Sequence, residues 1–205
     1  MRRLTCALML CAAVLPLSLP SAAQAIEIYQ TRGKTAVVEF YSFDPATCIS
    51  TSGYIFATES RTRVAPGSPT SLATATVNFF QSNECTWEAL TCVIGSVPLE
   101  EGDFQVIGNL GSATLNATVE GYDCLTGNTG TVGVAINWTG EGDMNQGHSQ
   151  SSYSYQGFRS RYSFNGQSRA ATVNGTFTYG GTTAALENTY GYLSVASGGT
   201  FYKYN

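Results

Sequence analysis

The chain has 205 residues, 43% of them hydrophobic, 12% aromatic and only 12% charged, with 22 glycines and a formal net charge of −4. The charged share is about half that of an ordinary soluble domain, and so many rings with so few charges exclude intrinsic disorder. A coiled coil is excluded as well, because heptads of Glu, Lys and Leu are absent.

Residues 1–25 read as an export leader. Arg2 and Arg3 give a basic start, Leu4 to Leu19 is apolar with a break at Pro16, and Ala23-Gln24-Ala25 supplies a small-x-small cleavage site. The apolar run is too short to span a membrane, and no later run reaches the roughly 18 apolar residues a span needs. Residues 26–205 are therefore expected to form one domain, secreted or periplasmic, with no membrane span in the mature chain. Ten Lys and Arg less two leave eight against fourteen Asp and Glu, a mature charge of −6. Nucleic acid is not an expected partner of so acidic a chain, since its affinity comes from neutralised phosphates.

The first strand signal is Val37-Val38-Glu39-Phe40-Tyr41, where Glu39 shares a face with Val37 and Tyr41. Asp44-Pro45 and Pro66-Gly67 mark turns, and Ala73, Ala75, Val77 and Phe79 alternate with polar partners. Cys48, Cys85, Cys92 and Cys124 remain once the leader is removed, which predicts two disulfides in an oxidising compartment. If Cys85 to Ile94 is one strand, Cys85 and Cys92 stand roughly 23 Å apart and cannot bond. That leaves Cys48–Cys85 with Cys92–Cys124, which we favour, or the crossed pairing. A hairpin turn over Thr86 to Ala89 would restore Cys85–Cys92 as an option. With one histidine and no C-x-x-C pair, no metal or cofactor is expected.

Further on, residues 113–119, 132–138 and 171–177 alternate apolar with small or polar residues, as half-buried antiparallel strands do. Gly127-Asn128, Asn165-Gly166 and Gly180-Gly181 separate the runs, and Asn165-Gly166 is the strongest type I′ hairpin signal. About nine to eleven strands fit the mature chain, predicting an antiparallel β-sandwich or a jelly-roll-like barrel. Asn116-Ala-Thr118, Asn137-Trp-Thr139 and Asn174-Gly-Thr176 match N-glycosylation acceptors on polar strand faces. The words Ser112 to Val119, Trp138 to Asp143 and Phe164 to Gly166 resemble uncharacterised secreted bacterial all-β proteins, a resemblance that covers the C-terminal half and implies no activity.

Three groups of residues could carry function. Glu39 and Glu120, in the words Glu39-Phe40-Tyr41 and Glu120-Gly121-Tyr122, are similar to segments of the jelly-roll xylanases, which would make them a nucleophile and an acid. A glycosidase needs two such carboxyls across one ring-lined cleft. Here 85 residues follow Glu120, and Trp87 and Trp138 are the only tryptophans. Glu141, Asp143 and Asn145 place oxygen ligands at alternate positions of an acidic segment, a calcium alternative without the closing glutamate of an EF-hand. His148 beside Ser149 lacks a nucleophile elbow and reads as an exposed loop histidine.

The third group is the tract Tyr153 to Phe164. Tyr153 and Tyr155 share one strand face, and Arg159 and Arg161 share one, suited to sugar stacking and to anionic groups respectively. The plainer account is that the tyrosines bury their rings with hydroxyls at the rim and the arginines guard an edge strand. The leading expectation is a non-catalytic secreted binding protein whose partner is a carbohydrate or a cell-surface protein. The alternatives are a glycoside hydrolase and a small outer-membrane β-barrel.

Overall fold

The structure is a computed structural model that describes residues 26–204; the expected leader, residues 1–25, lies outside the described residues. Nine strands fill it: β1 (Ile26–Asp44), β2 (Ile49–Ala65), β3 (Thr70–Asn83), β4 (Glu88–Pro98), β5 (Phe104–Val106), β6 (Ser112–Asp123), β7 (Thr129–Tyr155), β8 (Phe158–Tyr179) and β9 (Thr182–Tyr204). The fold is all-β and antiparallel. Its sheet runs β4-β3-β2-β1-β9-β8-β7-β6-β5, and a further β4–β6 pairing bends it into a ring. β5 is a spur on the β6 edge. Ring strands follow one another in chain order, so the barrel is an up-and-down meander without Greek-key crossings.

Period-two patterning dictates what faces inward. The alternating runs at 73–79, 113–119, 132–138 and 171–177 all lie in strands, and Val77, Leu115, Ile136 and Val173 of these runs are fully buried, while Ala73 and Ala117 are half-buried. Phe79 and Phe177 stack across the core with centroids 4.5 Å apart. The outward residues of β6, Thr114, Asn116, Thr118 and Glu120, are exposed. The interior is apolar, where that of an outer-membrane barrel is polar.

Two seams close the ring. The β1–β9 ladder ends at Val38↔Gly191, after which the two strands part. Trp138 reaches across β8 to this point, and its indole N–H donates to the Val37 carbonyl at 2.9 Å. Gly191 makes the reach possible, because a Cβ there would press on Trp138 and stand 2.6 Å from a Val173 methyl. The β4–β6 seam is short, from Val93↔Asp123 to Gly95↔Gly121. The disulfide Cys92–Cys124 sits directly beside it, with Cα atoms 5.3 Å apart.

The other disulfide, Cys48–Cys85, ties the β1–β2 turn to the β3–β4 turn, with Cα atoms 5.7 Å apart. The favoured pairing is therefore the one formed, although the strand used to argue for it is not. Glu84 to Trp87 is a turn, and β4 starts only at Glu88. Three turns at this end share one construction. Asp44, Asn83 and Asp123 each accept, on a side-chain oxygen, the backbone N–H two residues on. A left-handed residue closes each turn: Cys48, Trp87 and Gly127.

Asn165-Gly166 is not a turn. Both residues lie inside β8, opposite His148 and Gly147. The hairpin turns instead at Gln156-Gly157, whose φ values of 42° and 83° are those of a type I′ turn. Pairing with β7 and β9 on both sides overrides the local preference of Asn165-Gly166. The acidic segment 140–148 is likewise part of β7, bulged between Glu141 and Asn145, rather than a connecting loop.

Replacing Cys92 and Cys124 by serine should lower stability by about 2–4 kcal/mol, read as an earlier urea midpoint, and should expose the β4–β6 seam to hydrogen exchange before the β1–β2 ladder. The carboxylates of Asp44 and Asp123 are held below their usual range by turn hydrogen bonds, and that of Glu84 by the Ser50 and Ser82 hydroxyls at 2.5 and 2.8 Å. Groups lowered on folding stabilise fully above their unfolded pKa, and that contribution fades as pH falls through the folded values. Tm should therefore drop as pH is taken below about 4, and Glu84→Gln should make that drop shallower.

Candidate functional site

Five strands outrun the barrel. The ends of β2 (59–65), β1 (26–34), β9 (195–204), β8 (158–167) and β7 (146–155) stay paired in that order beyond the closed ring. They form a protruding blade whose residues are mostly exposed or half-exposed. Opposed residues in an antiparallel ladder point the same way, so the registers fix what each side of the blade displays.

One side carries rings. Tyr153, Tyr155, Phe158, Tyr202, Tyr204 and Tyr29 fall on it. Phe158 is the hub, with centroids 5.3 Å from Tyr204, 6.0 Å from Tyr202 and 6.2 Å from Tyr153. Tyr29 meets Tyr202 edge-on at 5.9 Å, and its hydroxyl donates to Glu27 at 3.2 Å, which raises its pKa. Beside the cluster is a hollow of about 330 Å³ walled by Tyr29, Tyr162 and Phe164 and floored by Gly33, Ala196 and Gly198. Phe164 lies against Gly166, where a Cβ would stand 3.0 Å from its ring.

The reverse side, continuous with the barrel's inner surface, carries charge. Arg61 and Arg63 of β2, Arg32 and Lys34 of β1, Lys203 of β9, and Arg159, Arg161 and Arg169 of β8 all have this parity. The chain has ten Lys and Arg, and these eight are all of them apart from Arg2 and Arg3. His148 joins them, hydrogen-bonded to Asn165 at 2.6 Å. Glu59, at the root, is the acidic residue of this face and pairs with Lys34 at 3.4 Å. Arg32, Arg61 and Arg63 border an open hollow of about 430 Å³ whose floor is Ser163, Ser197 and Gly199.

The sequence-predicted residues are thus divided. Tyr153 and Tyr155 do share a face, and so do Arg159 and Arg161, but the two pairs lie on opposite sides of the blade. The two-residue turn sets Tyr155 against Phe158 and Tyr153 against Ser160, which leaves the arginines at the other parity. Glu39 and Glu120 are not brought together either. They stand on β1 and β6, each four strands from the other both ways round the ring, and both are exposed on its outside. Glu39 borders a hollow with Tyr41, Tyr54 and Tyr190 that contains no second carboxylate.

Glu141, Asp143 and Asn145 do not converge on a cation site. Glu141 accepts from the Thr172 hydroxyl, and Arg169 pins the bulge by donating to the Gly142 carbonyl at 3.0 Å. Among the described residues no three His, Cys, Asp or Glu side chains cluster in a metal-binding way. Arg32, Lys34, Arg61, Arg63 and Lys203 went unnoticed in the sequence reading. Their signal was available in the spacing: Arg32/Lys34, Arg61/Arg63 and Arg159/Arg161 are all i, i+2 pairs, each on one strand face.

No protein family and no curated protein matches this chain. Among solved structures it is similar to a protein from Nitrosomonas europaea assigned provisionally as AttH. That likeness has 13% identity and a TM-score of 0.27 over 88% of this chain and 52% of the other. The chain thus spans about half the length of that structure, and so remote a likeness carries no argument about fold or activity.

Proposed function

We propose that this is an exported, non-catalytic binding protein that takes up a glycan on the ring-bearing side of its blade. The hollow between Tyr29, Tyr162 and Phe164 carries the reading, because half-exposed rings beside a floor of small residues suit stacking against the apolar face of a sugar. The neighbouring cluster around Phe158 extends the platform, so that several sugar units could be engaged in a row. Export is supported by two disulfides, which persist in oxidising compartments. A binding rather than hydrolytic role is supported by the outward, opposed positions of Glu39 and Glu120, far from the shared cleft that two-carboxylate chemistry needs.

The test is a neutral glycan array followed by calorimetry on the best ligand. Tyr29→Ala with Tyr162→Ala should weaken binding by about tenfold or more while far-UV circular dichroism stays unchanged. Full retention of affinity in that variant, or an array without hits, would remove this reading.

A further inference from the structure

The reverse side of the blade has no part in that reading. We propose that it is a second site, built for an acidic polysaccharide bearing carboxylate or sulfate groups. Three observations converge. All eight cations of residues 26–204 share this parity, although the chain as a whole is acidic. Among the described residues only Lys34 has a carboxylate partner. And the cations are set against one another: Arg32 lies directly opposite Arg61, and Arg159 directly opposite Lys203. Like charges in such positions oppose folding, and a bound anion is what would relieve them.

The shape and lining select among anions. Arg61, Arg63 and Arg32 border the hollow on β2 and β1, and Arg161 and Arg159 follow on β8, two and four residues beyond Ser163 toward the tip. Three strand steps and a two-residue offset put Arg63 and Arg161 roughly 16 Å apart at the backbone. Ser163, Ser197 and Gly199 keep the floor of the hollow low, Gln30 and Asn165 add amides that can meet hydroxyls, and Phe201 lies directly opposite Arg161. A single extended polysaccharide chain laid obliquely from the hollow toward the tip would reach both groups of arginines. Single-stranded nucleic acid binds largely by stacking successive bases on several aromatic rings, and among the described residues the one Phe, Tyr or Trp ring of the blade's cationic side is Phe201. A bilayer is flat, and the guanidinium groups here border a recess.

The experiment titrates the purified protein with polygalacturonate, uncharged dextran, oligodeoxythymidylate and phosphatidylglycerol-containing vesicles at low and moderate salt. Polygalacturonate should bind, dextran should not bind at this face, and added salt should weaken the polygalacturonate complex. R61Q with R63Q, and separately R159Q with R161Q, should each reduce its affinity by about tenfold, while R61K with R63K keeps most of it. R61Q alone should raise Tm by about 1–3 °C by removing the repulsion with Arg32, which also shows that the variant folds. Tyr29→Ala with Tyr162→Ala should leave polygalacturonate binding intact, so the two sites succeed or fail separately. The proposal is overturned by affinities indifferent to the arginine changes, or by no binding at low salt. Tighter binding of oligodeoxythymidylate or vesicles, or salt-sensitive self-association that the arginine changes abolish, would also overturn it.

Discussion

The ladder between the first and last strands governs the rest of this structure. β1 and β9 pair without a break from Ile26↔Lys203 to Val38↔Gly191. The inner part of that ladder shuts the barrel, and the outer part is the spine of the blade. A slip of one residue would turn the cations of β1 to the ring-bearing side and, in the same step, expel Ala36 and Val38 from the core. Burial at one end thus enforces the sorting of side chains at the other, where almost nothing is buried.

The two ends are stabilised by different physics. The barrel end has a filled interior, no unsatisfied buried polar side-chain atom among the described residues, and two covalent ties across its turns. The blade has backbone ladders, a ring cluster on one side and mutually repelling cations on the other. Surfaces that bind are often less stable than the scaffold that presents them, and the separation here is nearly complete along the length of the strands.

Much of the fold was legible because alternation is a local signal: residues 73–79, 113–119, 132–138 and 171–177 each announce a strand with one oily side. The disulfide pairing was reached from a mistaken strand over Cys85, because the four-residue turn at Glu84 to Trp87 has no Gly or Pro to mark it. Asn165-Gly166 misled in the opposite sense, its turn preference being overruled by pairing on both edges. The site was only half legible. Tyr153/Tyr155 and Arg159/Arg161 were recognised as same-face pairs, but the register across Gln156-Gly157 decides whether two such pairs meet, and register is a property of the whole sheet. The same holds for the cations of β1, β2 and β9, which are far apart in the chain and become neighbours only through the ladder.

Both disulfides lie at the pole remote from the blade. A reductant would therefore act first on the root of the molecule and leave the tip's hydrogen-bond ladders in place. The covalent ties restrain the enclosed loops, while the tip is held by backbone ladders and ring contacts alone, an arrangement closer to a hafted tool than to a uniformly cross-linked shell.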